Sequence, residues 1–206
     1  MKYIDINTWE RKQHYNHFKD FLDPSFAVTI PFDVSYAYNF AKLNGISFFA
    51  KYLHDCMRAI NSVDNLRYRI LNGKVVEFDV INASATLMRV NNTFALSSIK
   101  YSEDIREFIK NINSEKQRIL STDDFYPPEN RLDCIHCSAL PWVNFTNNKE
   151  AFSGKSDSVP KLSFGKVYEE GNCKKMNVSI SVSHALVDGL HVGYFAENFQ
   201  QYLNNN

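Results

Sequence analysis

The chain has 206 residues, 44% of them hydrophobic, and its 23 basic and 23 acidic side chains give a formal net charge of zero. A chain of this size suits one domain with a large core, and without a basic tract it offers no electrostatic reason to expect nucleic acid. It has no apolar run of membrane length, no signal peptide and only four cysteines. We therefore expect a single domain over residues 1–206 in the cytoplasm, with neither membrane nor nucleic acid as partner.

The first sixty residues carry mainly helical signals. Asn7-Thr8-Trp9-Glu10 is similar to a capping box, which predicts that the first helix begins near Thr8. Two later segments space their apolar side chains as helices do, and a short run of β-formers precedes them. The predicted elements are helix Thr8–Lys19, strand Phe26–Ile30, helix Val34–Leu43 and helix Ser47–Ile60.

The middle of the chain predicts two hairpins and a long helix. Asn72-Gly73 and Asn91-Asn92 are turn pairs that each lie between two runs of β-formers. A clear apolar stripe follows, and it predicts an amphipathic helix over Asp104–Leu120. The hairpin strands are Leu66–Leu71 with Val75–Val80 and Ala83–Val90 with Thr93–Ser98.

The last third predicts three strands and a closing helix, which are Cys134–Ser138, Leu162–Glu169, Met176–Ser183 and Leu190–Leu203. Helices are thus grouped between runs of strands, without the strict alternation of a parallel fold. This order predicts an α+β fold, a two-layer sandwich in which helices cover a large mixed β-sheet.

His184 lies where the last predicted strand ends. Alternation along that strand places it on the face of the apolar residues, opposite the serines between them. An imidazole there can point into a cleft and act as a general base near neutral pH, although a core histidine bonded to a backbone carbonyl is the alternative. Four residues later, Asp188-Gly189 predicts a turn into a helix that Asp188 caps. The residues that share the face of His184 are Val178, Ile180 and Val182.

Cys134-x-x-Cys137 with His136 is a weaker candidate, in this case for a metal. Two cysteines three residues apart on a strand face opposite ways, and the sequence offers no second cluster of ligands. We therefore expect no metal.

Three stretches carry a resemblance to a known family. They are Trp9-x-Arg11-Lys12-x-His14, the segment SALPWVNF that begins at Ser138, and HALVDGLHVG, which begins at His184. In this order, and over most of its length, the chain resembles the chloramphenicol acetyltransferase family, whose histidine signature is HHAVCDGFHVG. The resemblance implies a fold of that family, a homotrimer with active sites between subunits, acetyl-CoA as co-substrate and no permanently bound cofactor.

The resemblance also implies roles for five residues. His184 matches the catalytic histidine, and Asp188 matches the aspartate that pairs with an N-terminal arginine, here Arg11. Ser138 matches the serine that donates a hydrogen bond to the oxyanion of the tetrahedral intermediate. Ser163 stands where the family usually has a threonine that holds a bridging water. These residue types suit acyl transfer, because an imidazole can take the proton of an alcohol and a hydroxyl donor can stabilise an oxyanion.

The coenzyme entrance is matched less completely. Lys166 corresponds to a lysine near that entrance, but Val167 replaces the tyrosine that normally follows. Tyr168 is one residue further and is expected to face the other side of the strand.

The acceptor pocket departs from the family pattern at several positions. Phe18 stands where a tyrosine is usual and His17 where an aromatic residue is usual, while Leu22 and Phe26 keep the apolar wall. Past SALPWVNF, the stretch Thr146–Glu150 is more polar than the family pattern. The catalytic residues are therefore retained, whereas the acceptor pocket is altered.

Three functions remain open on the sequence. The first is acetylation of a chloramphenicol hydroxyl by direct transfer from acetyl-CoA, and the second is the same chemistry on another small-molecule alcohol. The third is a non-catalytic binder, against which the retention of Ser138, His184 and Asp188 argues. The acyltransferase core of 2-oxo acid dehydrogenase complexes shares H-x-x-x-D-G, but the sequence has no lipoyl domain or flexible linker.

Overall fold

The structure is a computed structural model that describes residues 1–129, 131–154 and 157–205. Its elements in chain order are β1 Lys2–Tyr3, α1 Lys12–Phe18, β2 Ser25–Asp33, α2 Ser35–Leu43, α3 Phe48–Asn61, a 3-10 turn Asp64–Arg67, β3 Tyr68–Leu71, β4 Lys74–Glu77, β5 Asn82–Met88, β6 Phe94–Leu96, α4 Ile105–Ser121, β7 Cys134–Ala139, β8 Lys161–Glu170, β9 Cys173–Ser183 and α5 Gly189–Leu203.

A six-stranded sheet with the order β2-β9-β8-β7-β5-β6 forms the centre of the fold. β7 runs parallel to both of its neighbours, and the other pairs are antiparallel, so the sheet is mixed. The predicted α+β arrangement is therefore confirmed. β2 is an edge strand, which explains why it continues through Pro31 beyond the predicted end at Ile30: a proline is tolerated where no further strand has to be paired.

The two faces of the large sheet differ in chemistry. The core face carries buried apolar side chains that join a cluster with residues of α3 and α5, among them Leu162, Phe164, Val178, Ile180 and Val182. The other face, the polar face, carries paired hydroxyl side chains, because Ser138 pairs with Ser163 and Ser163 pairs with Ser179. Residues after β7 partly cover this face, since Asn177 donates from Nδ2 to the Phe145 carbonyl oxygen at 2.8 Å.

A second, three-stranded sheet has the order β1-β4-β3. Its hairpin is the first of the two predicted, and it turns through Asn72 and Gly73, which both have positive φ. The second predicted hairpin is also present, as β5 and β6 with Asn92 at positive φ. The sequence did not indicate β1 or the separation of the first hairpin from the large sheet.

The predicted start of the first helix at Thr8 is wrong, because α1 begins at Lys12 with Arg11 as its N-cap residue. The residues before it form a turn around Asp5, which accepts a hydrogen bond from Asn7 N–H at 2.9 Å through Oδ1. Trp9 packs edge-on against Tyr68 of β3, with ring centroids 5.6 Å apart, and this contact holds the segment outside the helix. Within the described residues, no helix is long and apolar enough to span a membrane.

Candidate active site

His184 is the first residue after β9, and its side chain lies among aromatic rings. Its N–H donates to the Pro24 carbonyl oxygen at 2.9 Å, which fixes the backbone beside the start of β2. The ring of Phe18 stacks on the imidazole at a centroid distance of 4.4 Å and an interplanar angle of 7°, and Phe26 lies at 4.7 Å. Because the side chain is still 37% exposed, one edge of the imidazole is open to a ligand.

An ion pair between Arg11 and Asp188 holds the loop after His184 against α1. Arg11 Nη2 donates to Asp188 Oδ1 at 3.0 Å and to the His184 carbonyl oxygen at 3.2 Å, and Nη1 donates to Asp188 Oδ2. The hydrogen bond from Arg11, and then its positive charge, lower the pKa of Asp188. The predicted pair is therefore present within one chain, and its carboxylate is ionised at neutral pH.

The same carboxylate lies beside the imidazole. His184 Nδ1 is 3.2 Å from Asp188 Oδ1. Nδ1 is buried, but the two atoms are not aligned well enough to form a hydrogen bond. A carboxylate at this distance stabilises an imidazolium electrostatically when the ring takes a proton. Nε2 has no hydrogen-bond partner among the described residues, and it is the nitrogen left for an incoming hydroxyl.

His191 supports this arrangement from the first turn of α5. Asp188 N–H donates to His191 Nδ1 at 2.9 Å, so this nitrogen is an acceptor and carries no proton. Burial, and then the charge of Arg11, lower the pKa of His191, which favours the neutral ring. His191 is therefore a capping residue that fixes the start of α5.

We expect Arg11→Met to lower the unfolding free energy by about 2–3 kcal/mol, because the Asp188 carboxylate then loses charged hydrogen bonds in a partly buried place. The side chains of Arg11 and Asp188 are 11% and 30% exposed. Urea denaturation at fixed protein concentration measures the loss of unfolding free energy. The double variant Arg11→Met with Asp188→Asn should recover part of that loss. A change below about 0.5 kcal/mol would contradict this prediction.

The pH dependence of this effect follows from the lowered pKa of Asp188. A carboxyl whose pKa is depressed by folding contributes stability that is present above its unfolded pKa of about 3.9 and is lost as the pH falls through the folded value. The difference between the wild type and Arg11→Met should therefore be full at pH 7 and shrink below about pH 4.

Ser138 and Ser163 lie far from His184 within one chain. They share the polar face through the register Ser138–Ser163–Ser179, and His184 comes five residues after Ser179. At about 3.4 Å per residue and 4.8 Å between strands, Ser138 is about 17 Å along the sheet and two strands away from the histidine. One chain therefore carries two half-sites: the histidine half-site of Arg11, His184 and Asp188, and the serine half-site of Ser138 and Ser163.

The hydroxyl of Ser163 is engaged by the segment that follows SALPWVNF. Ser163 is buried; its Oγ donates to Glu150 Oε1 at 2.5 Å and accepts from Asn148 Nδ2 at 2.9 Å. Asn148 also donates to Glu150 Oε1 at 2.7 Å. The sequence indicated only that this stretch is polar, and neither Glu150 nor Asn148 was predicted as a site residue.

The predicted acceptor-wall residues differ in their surroundings. Phe18 and Phe26 contact the imidazole, whereas Leu22 is 72% exposed. The His17 ring contacts Phe18 at 4.7 Å and Phe21 at 5.2 Å. Phe21, which the sequence did not indicate, is itself 44% exposed. His17, Phe21 and Leu22 therefore form an exposed patch, the α1 patch, next to the histidine half-site.

Lys166 is exposed and lies in a β-bulge between Phe164 and Val167. Its N–H donates to the Val143 carbonyl oxygen at 2.9 Å. Beyond the bulge, Val167 packs against the core, while the Tyr168 hydroxyl donates to Asn177 Oδ1 at 3.2 Å. Val167 and Tyr168 thus face opposite sides, as expected, and the Lys166 side chain is exposed at the surface.

Cys134 and Cys137 are both buried free thiols. Burial raises the pKa of Cys134 to about 11 and that of Cys137 still further. Among the residues that the structure describes, no group of three or more His, Cys, Asp or Glu side chains is arranged to hold a metal.

Comparison with known proteins gives one consistent family. The family model described as chloramphenicol acetyltransferase matches residues 1–200. The chain is 27% identical to a chloramphenicol acetyltransferase of Proteus mirabilis, over 97% of this chain and 93% of that one. It is 28% identical to chloramphenicol acetyltransferase 3 of Escherichia coli, over 98% and 96%.

Solved structures give the same result. A chloramphenicol acetyltransferase structure superposes with a TM-score of 0.91 at 29% identity, covering 98% of this chain and 99% of that one. A probable dihydrolipoamide acetyltransferase from Listeria monocytogenes superposes with a TM-score of 0.67 at 16% identity, over 98% and 94%. The second likeness is one of fold alone.

Proposed function

The chain belongs to the chloramphenicol acetyltransferase family of acyltransferases, and from that premise we propose that it transfers the acetyl group of acetyl-CoA to a hydroxyl of chloramphenicol, with His184 as the general base. The observation that carries this proposal is the geometry of His184, whose imidazole is open at one edge and lies 3.2 Å from the Asp188 carboxylate. Acetyl-CoA is a co-substrate in this family, which uses no permanently bound cofactor.

In the proposed reaction, His184 takes the proton of the acceptor hydroxyl as the oxygen attacks the thioester carbonyl carbon. The carbonyl oxygen becomes an oxyanion, to which the Ser138 hydroxyl donates a hydrogen bond. When the tetrahedral intermediate collapses, the carbon–sulfur bond breaks and the thiolate of CoA leaves with the proton from the imidazolium. The products are an acetyl ester and free CoA, and Asp188 stabilises the imidazolium between the two proton transfers.

Direct transfer between the two substrates suits the surroundings of His184. The residue before it, Ser183, pairs with Ser25 on β2, and its side chain points away from the imidazole across the strand. The four cysteines are free, and three of them are buried. Among the described residues, the site thus offers no side chain beside the base as an acyl carrier, and both substrates are expected to bind together.

The separation of the two half-sites supports a homotrimer with active sites between subunits. Ser138 of one chain cannot reach an oxyanion held at His184 of the same chain, so a second copy has to supply it. The exposed α1 patch of His17, Phe21 and Leu22 lies beside the histidine half-site, where an apolar surface favours contact with a neighbour. Each active site would then take its base from one subunit and its oxyanion donor from the next.

Release of free thiol from acetyl-CoA, measured spectrophotometrically with and without chloramphenicol, tests the proposed function. We expect release that depends on chloramphenicol and saturates with it. A protein that binds acetyl-CoA but releases no thiol when chloramphenicol is added would contradict the drug as acceptor.

We expect chloramphenicol to be acetylated with a higher KM than a tyrosine at position 18 would give. Phe18 stacks on the imidazole, and its ring lacks the hydroxyl that is usual at that position. One neutral hydrogen bond contributes about 0.5–1.5 kcal/mol, or roughly three- to tenfold in binding. Phe18→Tyr should therefore lower KM by that factor and change kcat less, in steady-state kinetics on both forms. A KM that rises or stays unchanged would contradict this reading.

One observation favours a second candidate, the same chemistry on another hydroxyl acceptor. The serine half-site holds a carboxylate, Glu150, on the hydroxyl of Ser163. Chloramphenicol is neutral, so it has no charge that could pair with this carboxylate.

A further inference from the structure

The single proton of the Ser163 hydroxyl is committed to Glu150. Oγ donates to Glu150 Oε1 at 2.5 Å, a distance typical of a hydroxyl that donates to a carboxylate, and it accepts from Asn148 Nδ2 at 2.9 Å. A serine hydroxyl has one hydrogen to donate and two lone pairs that accept. Ser163 therefore keeps one lone pair, but it has no hydrogen left to donate to a water or a substrate.

Asn148 holds this arrangement in place. Its Nδ2 donates to Glu150 Oε1 at 2.7 Å as well as to Ser163 Oγ, so the three side chains form a closed triangle of hydrogen bonds. Ser163 is buried, and its strand β8 lies between β7 and β9. Turning the hydroxyl away from Glu150 would break a charged hydrogen bond in a place that water does not fill, so the observed direction is strongly favoured.

Two lysines lie near Glu150, but among the described residues neither forms an ion pair with it. Lys149 and Lys161 line a cavity of about 160 Å³ together with Glu150. Lys161 is engaged elsewhere, with Nζ 3.4 Å from Asp157 Oδ2 and 3.4 Å from the Ala151 carbonyl oxygen. These cations weaken the field of the Glu150 carboxylate without cancelling it through a direct contact.

This carboxylate lies beside the place where the oxyanion forms. Ser138, the proposed oxyanion donor, pairs with Ser163 across β7 and β8 on the polar face. With about 4.8 Å between strands and one hydrogen bond on each serine, the carboxylate is about 6–8 Å from the oxyanion. Repulsion of two like charges at this distance slows a reaction about three- to tenfold, at an effective dielectric constant between that of a protein surface and that of water.

The positive charge of the transition state already has a carboxylate of its own. It forms on the imidazole of His184, whose Nδ1 lies 3.2 Å from Asp188 Oδ1. The imidazolium therefore does not need Glu150, and the oxyanion is the charge that Glu150 mainly affects.

We propose that Glu150 is a positioning residue that slows acetyl transfer. It turns the Ser163 hydroxyl away from the reacting atoms, and it places a negative charge beside the oxyanion that Ser138 stabilises. The resemblance assigns position 163 a hydroxyl that holds a bridging water, and here a carboxylate oxygen takes the proton of that hydroxyl. This proposal rests on the proposed function, because it concerns the transition state of the same acetyl transfer.

Two substitutions of Glu150 test the proposal. Glu150→Gln removes the charge and keeps the size of the side chain, whereas Glu150→Ala also removes the acceptor of the Ser163 proton. Both are compared with the wild type by thiol release at saturating acetyl-CoA and chloramphenicol. Glu107→Gln is the matched control for the loss of one negative charge, since Glu107 lies on α4, is 52% exposed and pairs with Lys110.

We expect Glu150→Gln to raise kcat by about three- to tenfold and Glu150→Ala to raise it at least as much. KM for chloramphenicol and for acetyl-CoA should stay within about threefold of wild type, because Glu150 acts on the transition state and not on a bound substrate. Glu107→Gln should leave kcat unchanged. A merely structural role of Glu150 would lower kcat, so the sign of the change distinguishes the two roles.

Failure of this proposal is distinguishable from failure of the proposed function. If the wild type acetylates chloramphenicol and both Glu150 variants turn over at or below its rate, Glu150 does not slow the reaction, while the proposed function stands. Loss of acetyl-CoA binding in both variants would show that Glu150 is structural, and this would also overturn the proposal. If the wild type binds acetyl-CoA but releases no thiol with chloramphenicol, the proposed function fails and this proposal fails with it.

Discussion

His184→Ala is expected to lower kcat by about 10²–10⁴-fold, the range that general-base catalysis contributes. The imidazole stacks on Phe18 of the acceptor wall, and its Nδ1 lies beside the Asp188 carboxylate. Nε2 is the nitrogen left open to a hydroxyl. Without it, the acceptor has to attack as a neutral alcohol, because the imidazole beside Asp188 is the base of the proposed reaction. Steady-state thiol release at saturating chloramphenicol measures the loss.

The binding of acetyl-CoA serves as the control for this variant. His184 contacts α1 and β2 through ring stacking, and Lys166, the predicted residue of the coenzyme entrance, lies in β8 and is not part of these contacts. The dissociation constant of acetyl-CoA, measured by titration calorimetry, should therefore stay within about threefold of the wild-type value. Turnover within about tenfold of wild type would show that His184 is not the general base.

Ser138→Ala is expected to lower kcat by about 10²–10³-fold with little change in KM, as the loss of an oxyanion donor does. Ser138 is partly exposed on the polar face of β7, next to the buried hydroxyl of Ser163. Its hydroxyl would contact the substrate oxygen only when that oxygen becomes negative. The substitution should therefore lower kcat and leave substrate binding nearly unchanged.

A matched control for this substitution is available on the same face. Ser84 of β5 pairs with His136, two residues before Ser138 on β7. Ser84→Ala removes a hydroxyl from the same face of the same sheet, and its kcat should stay within about twofold of wild type. Equal losses in the two serine variants would point to a general disturbance of the sheet and would contradict the role of Ser138.

The sequence predicted most of the fold because its local signals agree with the tertiary structure. The turn pairs Asn72-Gly73 and Asn91-Asn92 both lie in hairpins, and the apolar stripe of α4 faces the core. The start of α1 was mispredicted because a tertiary contact overrides the cap signal. Trp9 packs on Tyr68, nearly sixty residues away, and no local pattern reveals that contact.

The candidate site also has one contact that the sequence predicted and one that it did not. The ion pair of Arg11 and Asp188 was predictable, because a family motif places both residues and the two charges attract. The engagement of Ser163 by Glu150 was not, since it depends on how the segment after Phe145 folds back over the polar face. The sequence showed only that this segment is unusually polar, which indicates an altered pocket without naming the contact.

The central claim is that each catalytic centre takes His184 from one chain and Ser138 from another, and subunit mixing tests it most directly. His184→Ala and Ser138→Ala chains are co-expressed with different tags, and trimers that contain both are compared with the two parents. Every trimer that contains both variants has one intact site of three, so its activity should return to about a third of wild type. Activity no higher than the mean of the two parent variants would contradict a shared site.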